Sequence, residues 1–496
     1  MARYPTTYQI NTRVWIRQFD KGSISTLGDI PDKVWAGLAK KGINYVWLMG
    51  IWETTKSSIE MYCFHPDLKA AYTDTNPNWE KQHVTGSPYA IDDYQVSPTL
   101  GSMDDLLTVR DRLNHHGMGL ILDFIPNHFN AHSSLINDNS EVFLQVRQDQ
   151  FEQDKHTFYE RNGLFLAHGK DPYFSAWTDT VQLNYFQAAT HRFMLSKLAE
   201  VAAVCDGVRC DMAMLLLPDV VSKTWGHLYD SQPVDFWSSA IDEIKKRYPD
   251  FIFIAEVYWG KQYELQLLGF DFTYDKDTLD FLLSGDTGAL AQHLQADPSY
   301  QQKLVRFIEN HDEPRSIESL GELRSRAAAT LMATIPGMRL VQDGQWEGLR
   351  IRPPVQLSIE ANELPCPCTL SNYLKTDGTM GCACQQAFYQ QLTKSVDNST
   401  IKNGSWHWMP TSVPGLVAYM IRLEDSTKLI LINYTEQTID GDIPNVLTKE
   451  GKIELSDELN ELPTTWLTQN SENPSSLHAT MPPFKSAILD ISYRSN

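Results

Sequence analysis

A guanidinium and a carboxylate stand two residues apart in the stretch Cys205-Asp206-Gly207-Val208-Arg209-Cys210-Asp211. Side chains of a β-strand alternate between its faces, so Arg209 and Asp211 share one face. Charge-assisted hydrogen bonds from a guanidinium favour the ionised form of a carboxylate and fix its orientation. The pair could therefore hold a carboxylate nucleophile, although a structural ion pair at a strand end is the commoner meaning of this pattern.

Three further apolar runs end in polar, titratable residues. Residues 120–125 carry Asp123 and lead to Asn127 and His128, residues 251–255 lead to Glu256, and residues 304–308 lead to Asn310, His311 and Asp312. Such runs are typical of buried parallel strands. In a (β/α)8 barrel the carboxyl ends of all strands meet at one face, where active sites lie. We therefore expect the four strand ends to form one site.

The four stretches, taken together, resemble the four signature regions of the α-amylase family of glycoside hydrolases, family 13. Residues 123–128 match the first region, residues 207–211 the second, residues 255–256 the third and residues 310–312 the fourth, in the family's order and spacing. Residues 86–94 and 182–184 extend the match. The resemblance therefore covers most of the first 400 residues.

The resemblance implies three catalytic carboxylates. Retaining cleavage of a glycosidic bond needs one carboxylate that attacks the anomeric carbon and one carboxylic acid that protonates the leaving oxygen. Asp211 is the candidate nucleophile, and Arg209 should keep it ionised. Glu256 is the candidate acid, because a desolvated strand end raises the pKa of a carboxyl group. Asp312 matches the family's third carboxylate, which binds sugar hydroxyls and stabilises positive charge in the transition state.

The resemblance also implies a set of substrate-binding residues. They are Arg209, His128, His311, Tyr89 and Asp123, with Tyr89 expected to stack on the glucosyl ring. Each has a structural alternative when taken singly, because a histidine at a strand end is more often a packed histidine than a ligand contact. Asp123 could serve mainly to hold the top of its strand.

At three positions this chain lacks residues that are usual in the family, and these differences affect the expected calcium requirement and the expected length of the substrate. Many starch-degrading members carry Lys-His three and four residues after the nucleophile, where this chain has Met214 and Leu215, and an aspartate ligand where it has Gln182. Asn127 alone cannot form a calcium site, because the ion takes six to eight oxygen ligands. We therefore expect no calcium requirement and no cofactor. Met214 and Leu215 should present apolar surface and favour short substrates over starch.

Four of the seven cysteines form two close pairs, Cys366 with Cys368 and Cys382 with Cys384. They could bind zinc, but the Cys-x-Cys spacing is tighter than the usual Cys-x2-Cys, so free thiols are favoured. They lie in the loop that follows residues 338–342, which we expect to form the eighth strand. A barrel presents such a loop on its catalytic face, where Glu347 and Arg350 of the same loop should also lie. A link between the two cysteine pairs, by a metal or by a disulfide, would hold the loop as a rim or lid over the cleft.

The composition restricts the partners. The chain of 496 residues has 42 basic and 62 acidic residues, a formal net charge of −20, and no long basic run. Nucleic acid and anionic membranes are therefore poor partners. The chain opens without an apolar signal segment and holds no membrane-spanning run, so a cytoplasmic location is expected. The sequence does not indicate an oligomeric state.

Alternating strand and helix patterns predict an α/β fold, a (β/α)8 TIM barrel with a small subdomain inserted after the third strand. We assign residues 1–128 and 181–398 to the barrel and residues 129–180 to the insertion. Residues 399–496 alternate in hydrophobicity and predict a C-terminal antiparallel β-domain. The pattern of residues 8–15 predicts the first strand.

These observations predict a retaining enzyme that acts on α-linked gluco-oligosaccharides, as a hydrolase or as a transglucosylase. Both outcomes use the same glucosyl-enzyme intermediate, and they differ in whether water or a sugar hydroxyl reaches it. A non-catalytic, carbohydrate-binding barrel is the alternative from another class. The presence of all three carboxylates argues against it.

Overall fold

A computed structural model describes residues 3–20, 25–363, 372–374, 380–382 and 385–444, together with most of residues 446–493. Eight parallel strands form a closed barrel in which every strand pairs with its neighbours in chain order. They are β1 (Thr6–Asn11), β2 (Tyr45–Met49), β3 (Gly119–Phe124), β4 (Gly207–Cys210), β5 (Ile252–Ala255), β6 (Phe272–Tyr274), β7 (Leu304–Arg306) and β8 (Met338–Gln342). The predicted fold class is confirmed.

The barrel's helices follow the strands and cover them. The longer helices of the described chain are Asp32–Lys40, Pro66–Thr75, Met103–His115, Ala188–Ala202, Pro218–Trp225, Trp237–Arg247, Lys276–Ser284, Thr287–Leu294, Glu322–Thr334 and Gln385–Val396. The helix Met103–His115 shows why the sequence folds this way. The Ser102 hydroxyl accepts from the Asp105 amide at 3.2 Å, and the Asp105 carboxylate accepts from the Ser102 amide at 2.7 Å, which forms a capping box at the start of the helix.

One glycine sets how closely β4 can approach its neighbours. A Cβ atom at Gly207 would lie 2.7 Å from the Ile252 carbonyl oxygen of β5 and 2.7 Å from the Ile121 side chain of β3. Neither backbone nor a packed side chain can give way by that much, so only glycine fits. The close approach places the ends of β3, β4 and β5 side by side.

The first strand is shorter than the sequence predicts. β1 ends at Asn11, and Thr12–Trp15 form a helical turn instead of continuing the strand through residue 15. The cause is Arg13, whose buried guanidinium donates to the carbonyl oxygens of Gly50, Trp52 and Gly86. These hydrogen bonds fix residues 12–15 against the loop residues that follow β2, on the catalytic face of the barrel.

Besides a short antiparallel hairpin of Asn372–Leu374 and Met380–Cys382, the described residues add two antiparallel units to the barrel. Between β3 and β4, His128–Asn130 pairs with Thr180–Gln182, and Phe158–Arg161 pairs with Leu164–Ala167. The C-terminal unit has a five-stranded sheet in the order Ser405–Trp408, Leu416–Leu423, Ser426–Asn433, Ser486–Tyr493 and Ile453–Asp457, and a three-stranded sheet of Ile439–Ile443, Leu477–Met481 and Leu467–Gln469. No helix among the described residues combines the length and apolar character needed to cross a membrane.

Candidate active site

Arg209 is the centre of the site. Its side chain is 1% exposed, and its guanidinium contacts three carboxylates: Asp211 through Nη1 at 2.8 Å, Asp123 through Nη1 at 3.4 Å and Glu256 through Nη2 at 2.9 Å. A single buried cation thus binds carboxylates from the ends of three neighbouring strands, β3, β4 and β5. The structure brings together the residues that the four sequence stretches singled out.

Aromatic rings enclose the guanidinium. Its Cζ atom lies 5.2 Å from the ring centre of Trp47, 5.1 Å from that of Tyr89 and 5.9 Å from that of Tyr274. Such contacts are favourable to a cation and exclude water from it. Trp47 also donates its indole N–H to Asp123 Oδ2 at 3.2 Å. The sequence stretches did not point to Trp47 or Tyr274, although both lie on barrel strands.

Glu256 is held at both carboxylate oxygens. Oε2 accepts from the backbone amide of Met212 at 2.7 Å and from Arg209, and Oε1 accepts from the Tyr258 hydroxyl at 2.9 Å. Met212 has a φ of 43°, in the left-handed region that bulky residues rarely adopt. This unusual backbone turn, directly after Asp211, aims the amide at the acid.

The two carboxyl groups differ in acidity. Burial raises the pKa of Asp211 to about 6, against the opposing effect of Arg209. Burial, aided by the nearby charges of Asp211 and Asp312, raises the pKa of Glu256 to about 7, again against Arg209. Arg209 favours the ionised form of Asp211, as expected, but desolvation by burial is the larger effect on the pKa of this carboxyl group.

Asp312 is the most open of the three carboxylates, with 44% of its side chain exposed. Partial burial works to raise its pKa, but the ion pair with His311, at 3.0 Å between Oδ2 and Nε2, holds the pKa at about 2. His311 is fixed in turn by the Tyr89 hydroxyl, 2.5 Å from Nε2, and by Gln9, 2.6 Å from Nδ1. Sequence reasoning missed Gln9, whose inward position on β1 was the only available signal.

His128 and Tyr89 lie on the insertion's side of the site. His128 Nε2 is 3.1 Å from the Tyr89 carbonyl oxygen, and burial lowers the pKa of His128 to about 4. The Tyr89 ring stacks on His311 with the ring centres 5.3 Å apart. Asp123 is buried, and burial raises its pKa against the effect of Arg209.

Gln182 fills the place at which the sequence comparison looked for a calcium ligand. Its Nε2 atom donates to Asn127 Oδ1 at 2.9 Å, to the Asn127 carbonyl at 3.0 Å and to the Leu183 carbonyl at 3.1 Å. Carbonyl oxygens can only accept, so the atom that faces them is the amide nitrogen. The three oxygens that could bind a cation therefore accept hydrogen bonds from the Gln182 amide nitrogen instead. Calcium binds oxygen ligands only, so this group of residues does not fit a calcium site.

Met214 and Leu215 are both buried, at 0% and 4% exposure, in a turn that packs into the core. The expectation that they present apolar surface to a sugar is wrong. The turn that follows the left-handed Met212 directs both side chains inward, so this position contributes packing and does not select short substrates.

The loop after β8 reaches the site. Arg352 donates to the carbonyl oxygen of Asp312, and a cavity of about 340 Å³ is lined by His311, Asp343, Glu347 and Arg352 among others. Glu347 thus lies on the catalytic face, as the sequence predicts. Cys366, Cys368 and Cys384 lie outside the described residues, as does the side chain of Cys382, so the zinc hypothesis stays a prediction. Cys63, Cys205 and Cys210 are buried free thiols.

Comparisons with known proteins decide the family. The family profile for the alpha amylase catalytic domain matches residues 37–410, more than half of the chain. This chain belongs to the α-amylase family. The alpha-amylase MalA of Haloarcula japonica is 22% identical over 285 residues, and Alpha-amylase 3 of Dictyoglomus thermophilum is 19% identical over 279 residues. These matches cover 56% and 52% of this chain.

The α-amylase family member described here spans 38% and 53% of the lengths of those two relatives. Among solved structures, the noncanonic maltogenic alpha-amylase AmyB of Thermotoga neapolitana matches with a TM-score of 0.69 and 18% identity, covering 99% of each chain. At this identity the likeness concerns the fold, which the two chains share from end to end.

Proposed function

We propose that this protein cleaves α-glucosidic bonds of gluco-oligosaccharides with retention of configuration, through a covalent glucosyl-enzyme intermediate. The observation that carries the proposal is the pairing of Asp211 and Glu256 with Nη1 and Nη2 of one buried guanidinium, with pKa values of about 6 and about 7. Near neutral pH, an ionised Asp211 and a protonated Glu256 can coexist. That is the combination which retaining cleavage requires.

In the first step, a carboxylate oxygen of Asp211 bonds to the anomeric carbon while the bond to the leaving oxygen breaks and Glu256 gives that oxygen its proton. In the second step, Glu256 takes a proton from water or from a sugar hydroxyl, which then displaces Asp211. A short carboxyl separation of about 5 to 5.5 Å characterises such enzymes, and attachment to one guanidinium favours a short separation.

The remaining residues would bind and position the glucosyl unit. Asp312 is ionised and partly open, so it can accept hydrogen bonds from sugar hydroxyls and offset positive charge at the anomeric carbon. His128 is neutral because burial lowers its pKa, and it can therefore bind a hydroxyl without adding charge. Arg209 and Asp123 are buried beneath the carboxylates, where they position Asp211 and Glu256.

The donor set supports a mechanism without calcium. Gln182 supplies two N–H donors where an ion would need oxygens, and its bonds to Asn127 tie the base of the insertion to the end of β3. We propose that the amide stabilises this junction in place of a metal. No step of the reaction is assigned to a bound ion.

The experiment is incubation with maltooligosaccharides, with chromatography of the products and NMR of the first anomer released. Shortened products with the α configuration are expected, whereas redistributed lengths would indicate transfer and an unchanged substrate would indicate a binding protein. Asp211→Asn and Glu256→Gln should each lower kcat by about a thousandfold or more.

Asp206→Asn is the matched control, since Asp206 precedes the same strand at its opposite end and pairs with Arg110 at 2.8 Å. It should keep most of the activity. A first product of β configuration, or an Asp211→Asn protein with more than about a tenth of the normal rate, would contradict the proposal.

A further inference from the structure

The two carboxyl oxygens of Glu256 have different neighbours. Oε2 lies 2.7 Å from the backbone nitrogen of Met212 and 2.9 Å from Nη2 of Arg209, and both of these groups can only donate hydrogen bonds. A proton on Oε2 would therefore point at two other donors. Oε1 lies 2.9 Å from the hydroxyl oxygen of Tyr258, and a hydroxyl group can donate or accept. In the protonated acid, the proton therefore belongs on Oε1.

Tyr258 keeps its own proton in both states of Glu256. Burial is the largest cause that raises the pKa of the Tyr258 hydroxyl, and the nearby charges of Glu256 and Asp312 raise it further. The Glu256 side chain is only 4% exposed, so water has little access to its oxygens. Rotation about the bond between the ring and the hydroxyl oxygen lets the Tyr258 hydrogen point toward Oε1 or away from it. The same group can thus serve either state of the acid.

We propose that Tyr258 is a positioning residue for proton transfer, whose hydroxyl accepts from Oε1–H of the resting acid and donates to Oε1 after the proton has left. This inference rests on the proposed function, because it concerns the proton that Glu256 gives to the leaving oxygen. A role of this kind assigns the acid and base work to Oε1. It leaves Oε2 as the oxygen that Arg209 and Met212 hold in place.

Each step of the reaction then has a defined place for the proton. In the first step the Oε1–H bond breaks and the proton passes to the leaving oxygen, which keeps the electron pair of its bond to the anomeric carbon. Tyr258 turns its O–H toward the new carboxylate. In the second step Oε1 takes a proton from water or from a sugar hydroxyl, whose oxygen bonds to the anomeric carbon, and the tyrosine O–H turns away again.

The hydroxyl should also set the acidity of Glu256. A hydrogen bond to an ionised acceptor is about twice as strong as one between neutral groups, so Tyr258 stabilises the carboxylate more than the protonated acid. Its removal should therefore raise the pKa of Glu256. Other charged or titratable groups act on this acid from neighbouring strands and loops, and the removal leaves them in place: Arg209, Asp211, Tyr274 and Asp312.

A hydroxyl that only ties the loop after β5 to the site is the competing explanation. Its loss would lower activity on every substrate alike and would leave the pKa of Glu256 where it is. The contacts favour the role in proton transfer, because two donors on Oε2 already orient the carboxyl group. A third bond is not needed for orientation, whereas a partner that can both accept and donate is needed at Oε1.

The kinetic test uses Tyr258→Phe, which removes one oxygen and keeps the ring. Maltopentaose needs the acid proton in the first step, whereas α-glucosyl fluoride does not, because fluoride leaves without protonation. The alkaline limb of kcat/KM for maltopentaose should move up by about one pH unit. At pH 6, kcat/KM should fall by about tenfold for maltopentaose, because the proton has lost its fixed position, and by less than about threefold for α-glucosyl fluoride.

Tyr263→Phe is the matched control. Tyr263 lies in the same loop after β5, on the helix Gln262–Leu267, and is 56% exposed. The variant loses a tyrosine hydroxyl as Tyr258→Phe does, but at a distance from the acid in the chain and on the protein surface. Both substrates and the alkaline limb should be unaffected by it.

Carbon-13 NMR of the glutamate side-chain carboxyl groups measures the same pKa without any substrate. The signal of Glu256 is the one absent from Glu256→Gln, and its pKa should be higher by about one unit in Tyr258→Phe. An unmoved or lowered pKa would overturn the inference, as would equal kinetic losses on both substrates. A wild-type protein that cleaves neither substrate refutes the proposed function, whereas the NMR titration tests the proton's position by itself.

Discussion

Gln182 donates its side-chain amide to both oxygens of Asn127, at 2.9 Å to Oδ1 and at 3.0 Å to the backbone carbonyl. The bond spans 55 residues of sequence and links the segment just after β3 to the strand Thr180–Gln182, which closes the insertion. An amide donor thus occupies the position that a cation would need. Calcium should be dispensable to this protein for that reason.

Chelator treatment should therefore leave both the thermal midpoint and the rate on maltooligosaccharides unchanged. An ion bound to the folded state adds stability by mass action, so its removal from a real site would lower the midpoint. Differential scanning calorimetry with the chelator, and with the same chelator saturated with calcium, makes the comparison. A drop of several degrees that calcium reverses would contradict this account.

The pH dependence of kcat/KM should be bell-shaped with limbs near the two pKa values of about 6 and about 7. The rate falls on the acid side as Asp211 is protonated, and on the alkaline side as Glu256 loses its proton. Because the two groups interact, the limbs belong to the pair.

Glu256→Gln separates the two limbs. Fluoride leaves without protonation, so single-turnover fluoride release from α-glucosyl fluoride should lose the alkaline limb in this variant and keep the acid limb. An alkaline limb that persists would assign it to another group.

Arg209→Lys should destabilise the protein strongly. A lysine keeps the positive charge but has a single nitrogen, so it cannot contact Asp211 and Glu256 as the two guanidinium nitrogens do. At least one buried carboxylate would then lose its partner, at a cost of about 3–5 kcal/mol. Urea unfolding at pH 7.5 measures the loss, and the loss should be smaller at pH 5, below the raised pKa values of Asp211 and Glu256.

Arg110→Lys provides the control, since Arg110 pairs with Asp206 at 2.8 Å at the opposite end of the barrel and both side chains are partly exposed. Such a pair contributes about 1 kcal/mol or less. Equal losses in the two variants would show that Arg209 is no more than an ordinary ion pair.

The meeting of Arg209, Asp211 and Glu256 was predictable from the sequence. Each follows or ends a buried apolar strand, and the barrel brings such ends to one face regardless of the intervening loops. The eighth strand, Met338–Gln342, was likewise predicted to the residue, because its apolar run is short and bounded by turn residues.

Contacts between loops could not be predicted in the same way. Tyr173 meets Trp259 across 86 residues only because Asp171 and the left-handed backbone at Trp259 aim both rings at one point. Met214 and Leu215 turned inward for a similar reason, since the left-handed Met212 redirects the chain after the strand. Side-chain direction in loops depends on such backbone turns, and hydrophobic periodicity carries no information about them.

The central claim is that Asp211 forms the covalent intermediate, and trapping that intermediate tests it most directly. In Glu256→Gln, α-glucosyl fluoride should still load the enzyme, while the second step lacks its general base, so the adduct accumulates. Mass spectrometry of the quenched and digested protein should find one glucosyl unit, on the peptide that contains Asp211. A glucosyl unit on another residue, or rapid turnover to β-glucose with no adduct, would contradict the account.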